Sequence, residues 1–105
     1  MNNIFNLENI PFSLDEEVME KLASSKNVLI ERVVSFGQIT DRNTWYEQSR
    51  SEFVLLLQGE ARIGYANGEE EHLSKGDYLI IPAHVRHRVD YTSTEPVCIW
   101  LTVFF

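Results

Sequence analysis

From Val28 to Phe104 the chain runs through short stretches of β-branched and aromatic residues, each closed by a turn residue, with no stretch of helical spacing. This pattern limits the fold more than any other feature, because a period of two puts alternate side chains on one face of a sheet. It predicts strands over 28–35, 44–47, 52–58, 61–65, 70–73, 78–81, 87–92 and 97–104. So many short strands in one chain make a sandwich or a closed barrel. Asn67-Gly68 lies between two of them and predicts a hairpin with a two-residue type I′ turn, whose central residues both take positive φ. That turn would set His72 opposite Ile63. Gly37, Gly59 and Gly76-Asp77 mark other junctions. The last stretch, 97–104, is apolar on both faces, so it should be covered on both sides, by the core and by either a helix or a second subunit.

Residues 1–27 read differently. Ile4, Phe5, Leu7 and Ile10 punctuate an Asn-rich arm that ends at Pro11. Ser13 with Glu16 three residues on has the pattern of a capping box, and Asp15, Glu16 and Glu17 suit the positive end of a helix. Leu14, Val18 and Leu22 recur at a spacing of four, joined by Met19, so a short amphipathic helix is expected, ending at 24–27. The chain then divides into an arm and helix over 1–27 and a β-barrel over 28–105. At 105 residues, one core serves both.

Nine Lys and Arg stand against sixteen Asp and Glu, a formal charge of −7, with no basic run to meet a phosphate backbone or anionic lipid. Nucleic acid and membrane are therefore not expected as partners. No apolar run is longer than the five residues Phe53 to Leu57, far short of the roughly 20 residues of a membrane-spanning helix. Cys98 has no second cysteine to pair with, and the N-terminus lacks the basic and apolar regions of a signal peptide. A cytoplasmic location is expected. Cys98 also lies in an apolar strand, where a thiol packs rather than attacks, and no nucleophile elbow or phosphate-cradling glycine loop is present.

Two segments carry the remaining chemistry. One runs Trp45-Tyr46-Glu47-Gln48-Ser49-Arg50-Ser51-Glu52 and on to Gly59; the other runs from Gly76 through Pro82, His84 and Arg86 to His87. Together they resemble the two motifs of the cupin superfamily. Glu52 and Gly59 match the second half of the first motif, G(x)5HxH(x)3-4E(x)6G, and with a spacing of four Trp45 and Glu47 stand where it has its histidines. Gly76, Pro82 and His87 match the second motif, G(x)5PxG(x)2H(x)3N, with His84 at its second glycine and Tyr91 at its asparagine. The resemblance covers about residues 33–104, and within the superfamily the chain looks like a group of small bacterial single-domain cupins. It implies an all-β fold, a jelly-roll or double-stranded β-helix barrel of about six to eight strands, with a small-molecule pocket at its mouth and a homodimer as the assembly; the short N-terminal helix expected from the spacing of residues 14–22 would precede that barrel.

Residues two apart on a strand share a face, so Trp45 and Glu47 are expected to turn inward with Glu52 and His87. Glu47, Glu52 and His87 would then offer a divalent metal two carboxylates and one imidazole, a set suited to Mn or Fe and compatible with Zn or Ni. His84 would add a fourth ligand or a base, which makes His84 and Glu47 the catalytic candidates and Trp45 and Tyr46 the pocket walls. Each has a plainer alternative: Glu47 a solvated carboxylate at the mouth, Glu52 and His87 a hydrogen-bonded pair without metal, His84 an exposed loop residue, Trp45 core filling, His72 a surface histidine. Arg50, Arg86 and Arg88 near the mouth would favour an anionic substituent on a ligand. The leading expectation is a metal-dependent lyase, isomerase or dioxygenase acting on a small anionic or polyhydroxylated metabolite, with the metal as Lewis acid. The alternative is a metal-free barrel that binds a small ligand or regulates without catalysis.

Overall fold

The computed structural model describes all 105 residues, Met1–Phe105. Its strands are β1 (Val18–Ser24), β2 (Leu29–Ser35), β3 (Glu52–Gln58), β4 (Ala61–Tyr65), β5 (Glu70–Leu73), β6 (Tyr78–Ile81), β7 (His87–Thr92) and β8 (Cys98–Phe104). They form a five-stranded sheet, β1-β2-β8-β3-β6, facing a three-stranded sheet, β5-β4-β7. Every pairing is antiparallel. The fold is all-β, with the core between the two sheets. Strand β8 is central, which accounts for its apolar residues on both faces. Its inward row Val33–Trp100–Leu56 lies across β2, β8 and β3, and meets Ile63 and Leu73 of the smaller sheet in one buried cluster. On the opposite face Val34 and Ile99 are also buried.

The expected N-terminal helix does not form. Residues 18–24 are the edge strand β1, paired with β2 from Val18↔Val34 to Ser24↔Leu29. A helix of two to three turns is marginal by itself, whereas the open edge of β2 presents a row of unpaired backbone groups that an extended segment satisfies. Ser13 caps no helix; its Oγ accepts a local bond from the Asp15 N–H at 3.2 Å. The cover on the outer face of β8 is therefore not a helix. The arm lies on its own barrel, where buried Arg32 donates from Nη1 to the carbonyls of Ile4 (2.9 Å) and Asn6 (2.8 Å) and from Nε to Glu20 (2.7 Å).

Two further expectations change. The hairpin at Asn67-Gly68 is present, but only Gly68 has positive φ, and Gly68 N–H bonds to Tyr65 O at 2.9 Å. This is a three-residue loop ending in a left-handed glycine, not a two-residue type I′ turn. One added residue moves the register by one, so His72 lies opposite Arg62, and Ile63 faces Glu71. His72 is exposed beside Glu70. The segment 44–47 forms no strand of its own; Tyr46 alone bridges to His87.

Arg32→Ala removes the only side-chain donor to two carbonyls of the arm. Urea melts should show a loss of about 2 kcal/mol, discounted for the partly exposed Glu20, and limited proteolysis should cut within residues 1–12 while the barrel stays whole.

Candidate functional site

The site is set by register. Tyr46 and His87 exchange backbone hydrogen bonds, Tyr46 N–H to His87 O at 2.8 Å and His87 N–H to Tyr46 O at 3.1 Å. Directly opposed residues of an antiparallel pair share a face. His87 is buried and points inward, so Tyr46 follows it, the rings 5.9 Å apart, and Gln48 follows Tyr46. Trp45 and Glu47 must then turn outward. Trp45 lies under the Arg88 guanidinium at 4.3 Å, and exposed Glu47 accepts a weak 3.4 Å contact from Arg86 Nε. Of the expected site residues, the fold brings together Tyr46, Glu52 and His87 and leaves out Trp45, Glu47 and His84. His84 has φ 68° at the third position of a turn closed by Val85 N–H to Pro82 O, and its side chain is exposed on another surface. That position calls for a left-handed residue, which is the physical reason a motif would carry glycine there.

Between the sheets lies a cavity of about 140 Å³. One polar side of it is Glu52, His87, Gln48 and Tyr46. Gln48 Nε2 donates to Glu52 Oε1 at 3.1 Å, and His87 Nε2 stands 3.8 Å from the same oxygen. His87 Nδ1 is 3.0 Å from Val85 O. A carbonyl only accepts, so Nδ1 carries the hydrogen and Nε2 is the ring nitrogen that faces Glu52. Burial pushes the Glu52 carboxyl above its ordinary range, opposed in part by the Gln48 bond and the nearby His87, and reinforced by Glu31 and Glu17.

The sequence reasoning missed several lining residues. Glu31 on β2 and Thr102 on β8 are register partners on the inner face, and Glu17, just before β1, accepts from Ser35 Oγ at 3.0 Å. Trp100 Nε1 donates to that same Ser35 Oγ at 3.1 Å. Burial raises the Glu17 carboxyl too, against the Ser35 bond and with help from Glu31. The signal for Glu31 was available, because it alternates in phase with Leu29 and Val33 on the core face. No Lys or Arg lines the cavity. Arg88 instead binds Asp90 (2.8 Å) and the carbonyl of Arg42 (2.9 Å), and Arg50 lies over the Phe104 ring at the rim.

The cupin domain family matches residues 37–104, about two thirds of the chain. The chain belongs to the cupin family. Among solved structures, this cupin is similar to a candidate mannose-6-phosphate isomerase from Ralstonia eutropha JMP134, at 31% identity and a TM-score of 0.89, over 99% of this chain and 95% of that one. It also resembles a cupin superfamily protein from Desulfitobacterium hafniense DCB-2 (24%, TM-score 0.75, 91% and 83% covered). It shares its fold with the DMSP lyase DddQ from Ruegeria pomeroyi DSS-3 (16%, TM-score 0.72), matching 86% of this cupin and 47% of that chain. No curated protein matches.

With the family established, the first motif can be set in register. A spacing of three, rather than four, puts Tyr46 and Gln48 at its two histidine positions, with Glu52 and His87 following. A phenol and a carboxamide replace two imidazoles, and the carboxamide already spends an N–H on Glu52. No three His, Cys, Asp or Glu side chains converge as metal ligands anywhere in the fold. This donor set does not fit a resident divalent metal, and Glu47, exposed and turned to Arg86, does not complete it.

Two outcomes follow from this geometry. A carboxyl whose pKa folding raises binds more protons folded than unfolded between its ordinary value of 4.5 and the raised one, so its contribution to stability falls as pH rises through that window. Glu52→Gln should therefore melt higher than the parent above the window and the same below it, the difference growing with pH in a thermal-melt series. His84→Gly relieves the left-handed strain and should be neutral to about 1 kcal/mol stabilising in urea melts.

Proposed function

We propose that this cupin binds a small molecule in the barrel cavity and moves a proton on it with Glu52 and His87, an isomerase- or lyase-type reaction that needs no resident metal. The observation that carries the reading is the facing of His87 Nε2 and Glu52 Oε1 across 3.8 Å, with both groups largely buried. That gap is too long for a direct hydrogen bond and leaves room for a ligand atom to engage both.

Fixed by Val85, the ring offers a base at Nε2, while the raised carboxyl offers an acid. Two titratable groups held apart in this way can divide the tasks of taking a proton from one ligand atom and giving one to another. His87 Nε2 takes the proton from ligand carbon. Glu52 delivers its own to the third carbon of an allylic system as the double bond shifts, for an isomerisation, or to the departing oxygen as the new double bond forms, for an elimination. Return of the proton from His87 to Glu52, through product or water, restores the starting state. Gln48 holds Glu52 in place by its 3.1 Å bond, and Tyr46 at the mouth limits water. The isomerase and lyase descriptions of the Ralstonia and Ruegeria proteins support a proton-transfer reaction of this kind.

The test is deuterium incorporation. Protein purified without an affinity tag and treated with chelator is incubated with pooled small metabolites in D2O, and exchanged or converted products are read by mass spectrometry. Glu52→Gln and His87→Gln should each lower the rate about 100-fold while remaining folded. Metal should stay below about a tenth of an equivalent throughout. Turnover that survives both substitutions, or that returns only with an equivalent of added metal, overturns the reading.

A further inference from the structure

We propose that the cavity takes a small protonated amine, a primary ammonium on an apolar body, with the ammonium held at Glu31, Glu17 and Thr102. The inference rests on the cavity being a ligand site and adds the class of ligand.

Charge is the first argument. Besides the proton donor Glu52, two further acids, Glu17 and Glu31, line one small cavity, and no lysine or arginine does. Ion pairs elsewhere in the fold engage Glu20, Glu47, Glu70 and Asp90, and within the cavity Glu52 faces His87; Glu17 and Glu31 have no cationic partner. Lys21 stands opposite Glu31 in the β1–β2 register, but it is exposed and forms no ion pair with it. Arg50 lies at the rim, on the Phe104 ring. An anion entering here would meet like charge at close range, whereas a cation would supply the missing counter-charge.

Thr102 is the second and independent observation. Its side chain lines the cavity, the residue is 5% exposed, and Oγ1 has no hydrogen-bond partner, alone among buried side-chain oxygens and nitrogens of the chain. In register it sits between Glu31 and Val54, at the centre of the sheet face that floors the cavity. An orphaned buried hydroxyl is costly unless a ligand completes it. Beside carboxylates that only accept, a ligand with several N–H donors satisfies the hydroxyl and the acids together. This favours a primary ammonium over a quaternary one.

Size and lining give the rest of the ligand. A cavity near this volume holds about six heavy atoms. Its walls, Val54, Ile63 and the Trp100 ring, suit a short branched hydrocarbon, and the indole face is itself favourable to a nearby cation.

Isopentylamine, isopentyl alcohol and isovalerate share one apolar body and differ in charge, and calorimetric titration of the full chain at neutral pH distinguishes them. The ammonium should bind at least about tenfold tighter than the alcohol, and isovalerate weaker than either. Glu31→Gln should lower the ammonium's affinity about tenfold and leave the alcohol's unchanged, and Thr102→Val should lower it a few-fold. Glu17→Gln serves as the second acidic variant if Glu31→Gln does not fold. Alcohol or isovalerate binding as tightly as the amine overturns the ammonium site while leaving a ligand cavity. An amine affinity unchanged in the acidic variants overturns it too. Absence of binding by all three likewise removes the ammonium site, and the proton-transfer reading is still judged separately by deuterium incorporation.

Discussion

Tyr46 exchanges both of its backbone hydrogen bonds with His87, and because opposed residues share a face, that exchange governs which side chains of the preceding loop reach the cavity. It brings in Tyr46 and Gln48 and turns out Trp45 and Glu47. A slip of one residue would reverse all four. The Gln48 bond to Glu52, the ring of Tyr46 against His87 and the outward pairing of Glu47 with Arg86 all follow from this single register. The loop is held on either side as well, by Thr40 N–H to Val89 O at 2.9 Å and His84 N–H to Gln48 O at 2.7 Å. Side chains of a segment that is not a strand are thus positioned with the constancy of one.

Much of the fold is legible in the sequence because burial enforces period two. The bounds expected for β3 to β7 are those observed, and β2 and β8 each begin one residue later than expected. The failures lie where local pattern competes with a distant partner. Leu14, Val18 and Leu22 fit a helix as well as Val18, Glu20 and Leu22 fit one face of a strand, and only the free edge of β2 decides between them. The hairpin loop is one residue longer than expected because Asn67-Gly68 serves two turn types. Glu52 and His87 were readable from their motif positions. Tyr46 is expected as a pocket wall, but its motif position and that of Gln48 are hidden by a spacing that the motif leaves open between three and four, and Glu17 is hidden by the helical spacing of residues 14–22.

The cavity draws its character from what surrounds its acids. Glu17 and Glu52 are each held by one neutral donor, Ser35 or Gln48, and by no arginine or lysine. Neutral donors favour ionisation less than a full positive charge would, so desolvation prevails and both carboxyls are displaced upward. Paired arginines in the same places would pull the acids down and fill the space. The arginines near the mouth are occupied instead, Arg50 on the Phe104 ring, Arg86 with Glu47 and Arg88 with Asp90 and Trp45. The interior is therefore acidic while the cations remain on the outer side.

Arg32 grips the N-terminal arm by two carbonyl oxygens, those of Ile4 and Asn6, and not by their side chains. Every residue type carries a carbonyl, so this clasp does not depend on what the arm spells. Substitutions along residues 4–6 can accumulate without releasing it, provided the backbone keeps its path. The burden of keeping the arm docked falls on one guanidinium in β2, and evolutionary drift in the arm should be freer than drift at the position that holds it.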